Sequence, residues 1–148
     1  MEITMYDKLL QLPLFQGLCQ EDFTSILEKV RFEFNKYPAG SCIAQQGKAC
    51  KQLIFILQGT VYAKSIDNEH GYVLYETFDS PQVIEPYSLF GMFPQYTASY
   101  HAQTDISTVS FNKSYVLSEL NKYEIFQLNY LNVISLSLIH IWRCRRIE

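Results

Sequence analysis

The chain has little of what a nucleic-acid surface, a metal centre or a membrane span requires. Its formal net charge is −3 over 148 residues, and no basic block appears before its last few residues. A nucleic-acid binder usually carries a basic stripe, so these residues are expected to make no direct DNA contact. Cysteine is sparse. Cys19, Cys42, Cys50 and Cys144 form no Cys-x-x-Cys pair, and none has a histidine at metal-ligand spacing. Free thiols and no metal site are the expectation. No apolar run is long enough to span a bilayer. The opening MEITMYDKLL starts acidic and has no basic head before an apolar stretch, which predicts no signal peptide and a cytoplasmic location. A nucleophile-plus-base motif, paired acids at a loop and a metal-ligand spacing are all missing, so neither enzymatic activity nor a cofactor is expected.

What is present is apolar and aromatic. Hydrophobic residues make up 48% of the chain and aromatic ones 15%, enough for one domain with a real core. Tyr6, Leu9, Leu10 and Leu12 give a short helical stripe that Pro13 stops. Leu14 to Leu18 is a turn with apolar anchors. Glu21 and Asp22 then open a second helix, where the helix dipole favours acidic residues. Phe23, Ile26, Leu27 and Val30 carry it to residue 30.

From Arg31 the period changes. Phe32, Phe34 and Tyr37 alternate with polar residues, as on a strand. Pro38-Ala39-Gly40 and Gly47 punctuate a second strand over Ser41 to Gln46. Leu53-Ile54-Phe55-Ile56-Leu57 is continuously apolar, as in a strand buried on both faces. Gln58-Gly59 breaks it at a bulge or tight turn. Thr60 to Ile66 and Tyr72 to Phe78 are two strands joined by a hairpin loop that includes Gly71. Thr97 to Ala102 and Ile106 to Phe111 are two more.

Helices return with Tyr115 to Leu120. Asn121 and Glu124 then stand in a capping-box arrangement before a helix that holds Ile125, Phe126, Leu128, Tyr130, Leu131, Val133 and Ile134. Its apolar residues cover more than one face, so it is expected to pack on its own domain and on a partner. The whole pattern is mainly β with flanking helices: a jelly-roll-like β-roll followed by the start of a long C-terminal dimer helix.

The chain is organised around Val83 to Ala102, VIEPYSLFGMFPQYTASYHA. A Glu-Pro step, small residues, aromatics and one Gly suggest a loop with a short helical turn, held between strands and facing the hollow of the roll. Tyr72, Tyr75, Tyr87, Tyr96 and Tyr100 could line an apolar pocket there or simply fill the sheets.

The ordered set Tyr37-Pro38-Ala39-Gly40-Ser41, Gln46-Gly47, Leu53 to Val61 and Ile84 to Phe90 resembles the sensor domain of the Crp/Fnr family of bacterial transcription regulators, over roughly Leu9 to Ile134. The run Glu85-Pro86-Tyr87-Ser88-Leu89-Phe90-Gly91 is similar to members of the Bacteroides group. The resemblance implies a cyclic-nucleotide-binding-like roll, a homodimer built on the C-terminal helix, with Phe126, Tyr130, Val133 and Ile134 at the interface, and a small-molecule effector of unknown identity. DNA would be contacted only through a helix-turn-helix domain that this chain lacks.

Cyclic-nucleotide binders of that family carry a Gly-Glu pair at the start of the loop and Arg-Ser or Arg-Thr near its end. Short-helix N–H groups and the Arg hold the phosphate, and the Glu takes the ribose hydroxyl. Those positions here are Glu85-Pro86 and Tyr96-Thr97. The degenerate ligand loop therefore comprises Glu85, Pro86, Tyr87, Ser88, Tyr96 and Thr97, with only the Thr97 hydroxyl retained. A buried anion without a cation costs several kcal/mol, and an inward Glu85 would add to that. Lys48, Lys51, Lys64 or Lys113 would have to compensate. No binding of cyclic AMP or cyclic GMP is expected. An iron–sulfur sensor would need more N-terminal cysteines than Cys19. A haem sensor would need His70 or His101 as axial ligand, and both suit surface or structural roles better. The alternative class is a stand-alone small-molecule-binding roll, such as a cupin-like enzyme. That would need several inward histidines, whereas His70, His101 and His140 are scattered.

The sequence thus divides into a sensor roll with N-terminal helices over 1–120, the start of a dimerisation helix over 121–135, and a tail over 136–148. The tail's LSLIHIWRCRR is similar to the translated end of a transposase adapter used in DNA library preparation, with Trp142 read from a TGA codon. It is expected to be non-native and the regulator truncated there.

Overall fold

The computed structural model describes residues 9, 12–67, 69, 71–118 and 122–146. The expected helical stripe before Pro13 lies largely outside these residues, as do Asn121, with its capping box, and His70. The chain forms two compact units, Phe32–Phe111 and the pair of segments Met1–Arg31 and Asn112–Glu148.

The first unit is the roll. Eight strands run β1 (Glu33–Tyr37), β2 (Cys42–Ala44), β3 (Gln52–Gln58), β4 (Thr60–Asp67), β5 (Tyr72–Asp79), β6 (Gln82–Ile84), β7 (Ser99–Ala102) and β8 (Ile106–Asn112). They make two four-stranded sheets, ordered β1-β8-β3-β6 and β2-β7-β4-β5. The continuous apolar run does what its composition demands, since Leu53, Ile54, Phe55 and Ile56 on β3 are all buried. Its sheet neighbour β8 is buried from Ile106 to Phe111, and Phe55 stacks on Phe111 at 6.1 Å. Strands β4 and β5 pair in unbroken register from Thr60↔Asp79 to Asp67↔Tyr72.

Gly59 carries the chain from β3 in one sheet to β4 in the other. Its φ is +97°, and a Cβ there would stand 2.6 Å from the carbonyl oxygen of Asp105 and 2.6 Å from Cγ2 of Ile106. Only glycine fits both the dihedral and the space. The Thr60 N–H donates to Thr104 Oγ1 at 3.0 Å, and the Thr60 hydroxyl to Asp79 Oδ1 at 2.8 Å.

The structure departs from the sequence reading in three places. Strand β6 is a strand although Val83 and Ile84 read as the start of the loop; three residues are too few to show a period. Strand β7 begins at Ser99 rather than Thr97, because the N–H groups of Thr97 and Ala98 go to a side chain instead of a neighbouring strand. Phe34 is 37% exposed on β1, at the end of the sheet order, and Phe32 takes the core contact, 5.3 Å from Phe111.

The second unit is helical. A 3-10 turn (Pro13–Phe15) precedes α1 (Gln20–Lys29), α2 (Lys113–Ser118) and α3 (Glu124–Arg146). Glu21 and Asp22 sit in the first turn of α1, and Cys19 caps it, its sulfur accepting from the Asp22 N–H at 3.5 Å. Phe15 meets Phe23 edge-on at 5.9 Å and Phe126 at 6.3 Å. Asn129 of α3 donates to the carbonyls of Leu14 and Gln16 at 3.0 and 2.7 Å. Helix α3 runs without a break past residue 135, so the tail continues it. Among the described residues, no helix is long and apolar enough to cross a membrane.

Candidate functional site

The site is built where β6 ends. Ile84 pairs with Ile54, and the next residue, Glu85, turns out of the strand with φ +38° and ψ +62°. It is the one non-glycine residue at positive φ among the described residues. Pro86 then opens a 3-10 turn (Pro86–Ser88), a position where its missing N–H costs nothing. Leu89, wholly buried, pins the far end.

This geometry turns the Glu85 side chain inward. The residue is 3% exposed. One carboxylate oxygen accepts from the Ser88 hydroxyl at 2.7 Å and from the Thr97 N–H at 2.8 Å. The other accepts from the Ala98 N–H at 3.2 Å. The Tyr100 side chain, from β7, lies beside the same carboxylate. Two successive main-chain N–H groups and the Ser88 hydroxyl thus converge on one negative group, an oxyanion nest. Hydrogen bonds to a charged group contribute about 1.5–3 kcal/mol each. Together they offset the strain at residue 85, on the order of 1–3 kcal/mol, and the several kcal/mol of desolvation that a buried carboxylate incurs.

The tyrosines answer to this charge. Burial pushes the Tyr100 hydroxyl far above its ordinary 10.0, and the adjoining Glu85 carboxylate raises it further. Burial likewise raises Tyr96, helped by the neighbouring Cys50 and by Glu85. Both stay neutral at any physiological pH. The segment carrying Tyr96 is held in place by its main chain: the Tyr96 N–H donates to Lys48 at 3.0 Å, and the Gly47 N–H donates to Tyr96 at 2.9 Å.

The other expected residues fall as follows. Pro86 and Ser88 are buried, and Tyr87 is half-buried beside them. Thr97 is exposed, and what it brings to the nest is its N–H, not the hydroxyl that the sequence singled out. None of the donors to Glu85 is a lysine or arginine among the described residues. Lys48 and Lys51 are exposed, Lys64 lies 6.0 Å over the ring of Tyr75, and Lys113 begins α2 in the other unit. His101 stacks on Tyr62 at 5.1 Å. Among the described residues, no three His, Cys, Asp or Glu are grouped to hold a metal. Sequence reasoning missed the Ala98 N–H altogether, because a main-chain donor leaves no mark on residue identity.

A family model for the cyclic nucleotide-binding domain matches residues 34–123. The chain belongs to the cyclic nucleotide-binding domain family. Its match runs from the second residue of β1 through the other seven strands and α2, and the family's role is sensing and regulation rather than catalysis. No curated protein sequence matches the chain. Among solved structures, the roll and helices are similar to the sensor domain of the transcriptional regulator DNR from Pseudomonas aeruginosa, with TM-score 0.71, 18% identity, and 90% of this chain and 92% of that one covered. The catabolite activator protein of Thermus thermophilus has TM-score 0.75 and 20% identity over 92% of this chain and 62% of its own. A cAMP-independent protein kinase A regulatory subunit from Trypanosoma brucei, as a triple mutant bound to cAMP, has TM-score 0.64 and 16% identity over 88% of this chain and 50% of that one. These likenesses establish the fold.

The residues expected at a dimer contact divide between two environments on α3. Phe126 and Tyr130 are buried, Phe126 lying against Phe15 and 6.2 Å from Tyr130. Val133 and Ile134 are half-buried. Ile125, Leu128, Leu131, Leu136 and Leu138 are exposed on the same helix.

Proposed function

We propose that this chain is the cytoplasmic sensor and dimerisation part of a Crp/Fnr-type transcription regulator whose roll takes up neither cyclic AMP nor cyclic GMP. The observation that carries the reading is the buried Glu85 carboxylate, which takes the N–H groups of Thr97 and Ala98. A cyclic phosphate brought to the same donors would meet that negative charge with no arginine to offset it, since Tyr96 stands in the family's arginine position. The residues do not fit a cyclic nucleotide. The Trypanosoma neighbour, described as cAMP-independent, is a precedent for this roll without cAMP dependence. Isothermal titration of the protein with cyclic AMP and with cyclic GMP is expected to give no saturable heat up to about 1 mM ligand, where a site would be worth only about 4 kcal/mol. Micromolar affinity for either nucleotide would overturn the reading.

The dimer contact in this reading runs along α3. Phe126 and Tyr130 brace the helix from within, while Val133, Ile134 and the exposed Leu128 and Leu131 meet the mate. An effector would act by shifting how the two helices pack. DNA would be reached through a domain outside this chain, and the segment after Ser135 is read as non-native. Light scattering of the chain is expected to give twice the mass of one copy. Leu131→Asp is expected to give one copy; a monomeric parent chain would instead place the interface beyond these residues.

A further inference from the structure

We infer that the roll retains a working oxyanion site, formed by the Thr97 and Ala98 N–H groups and the Ser88 hydroxyl, and that Glu85 is its permanent, tethered occupant. This rests on the reading that no cyclic nucleotide fills the same place, and adds to it the class of group the site accepts. Three observations carry it. The donors come from separate elements, the Pro86–Ser88 turn and the segment entering β7, and converge within 2.7–3.2 Å of one carboxylate. The chain accepts a left-handed backbone at a non-glycine residue, φ +38°, in order to aim that carboxylate. And β7 begins two residues later than its strand-forming run, at Ser99, leaving these N–H groups to the anion rather than to a sheet.

Successive N–H groups aimed at one point recognise the oxyanion and not the residue that carries it. A free carboxylate or phosphate would therefore compete for the site only once Glu85 is removed. The site is self-filled, and its loop holds the shape that an anion imposes without depending on any ligand.

The test removes the tether. Glu85→Gly suits the positive φ and leaves the donors in place. Its melting temperature is expected to rise saturably with inorganic phosphate and with acetate, but not with sodium chloride at equal ionic strength, because only a bound ligand stabilises by mass action. The wild-type protein is expected to show no saturable rise with any of the three, only the gradual stabilisation that an excluded salt such as phosphate gives any folded protein. The effect sought is at least about a tenfold difference in apparent anion affinity between variant and parent. A folded Glu85→Gly protein that responds to neither anion would overturn the inference, as would a variant that stays unfolded at every concentration of both. A second measurement uses the parent alone. Its Thr97 and Ala98 amide resonances are expected to stay unmoved as phosphate is added, and a saturable shift would show that Glu85 does not own the site. Failure of these arms leaves the absence of cyclic-nucleotide binding standing, whereas calorimetric uptake of a cyclic nucleotide by the parent would remove both.

Discussion

Glu85→Leu is expected to destabilise the roll by about 3–5 kcal/mol, read as a fall in the urea midpoint. Leucine keeps the bulk and the strained backbone of residue 85 and deletes only the acceptor. The Ser88 hydroxyl and the Thr97 and Ala98 N–H groups then lose their common partner. A buried donor left without an acceptor costs about 1–3 kcal/mol. Thr97 is exposed, so water can recover part of its share, which holds the total below the simple sum. Glu85→Gln retains one acceptor oxygen but turns an amide NH2 toward donors, and is expected to cost less, about 1–2 kcal/mol. A leucine variant as stable as the parent would mean that the loop is held by packing alone.

Phe126→Ala carries the second large effect, about 3–5 kcal/mol, typical of deleting a buried aromatic ring. Phe126 is 1% exposed and lies between Phe15 and Tyr130. It is the residue through which α3 grips the 3-10 turn, beside the hydrogen bonds from Asn129. Asn132→Ala, on the exposed side of the same helix, is the control and is expected to change stability by no more than about 0.5 kcal/mol. Urea unfolding followed by circular dichroism separates the two. Equal effects would mean that the inner face of α3 has been assigned to the wrong residues.

The fold was legible wherever burial writes itself into composition. The run Leu53 to Leu57 announced a strand covered on both faces, and Gln58-Gly59 announced a break after it, though not that the break crosses between sheets. The alternation over Thr60 to Ile66 and Tyr72 to Phe78 gave the hairpin almost to the residue. What stayed hidden depended on main-chain geometry. Strand β6 is too short to show a period. Thr97 and Ala98 have the residue types of a strand, and only the position of a side chain twelve residues earlier removes them from one. The sequence identified Glu85, Ser88, Tyr96 and Thr97 as members of one loop, and the structure brings them together. It did not reveal that Glu85 would be satisfied, because an inward carboxylate with no lysine or arginine nearby in sequence reads as a defect. The donors that satisfy it are two N–H groups and one hydroxyl, none of which carries a charge that composition could register.

Cys50 gives this arrangement a clock. Its thiol is 1% exposed, and the Cys50 N–H donates to the carbonyl of Pro94 at 2.7 Å, on the segment that leads from the loop into β7, while Cys19 and Cys42 lie in the open. An alkylating reagent therefore consumes those two at once and must wait for Cys50. How long it waits measures how often the segment lifts away from its bed, with no label added and no effector in hand.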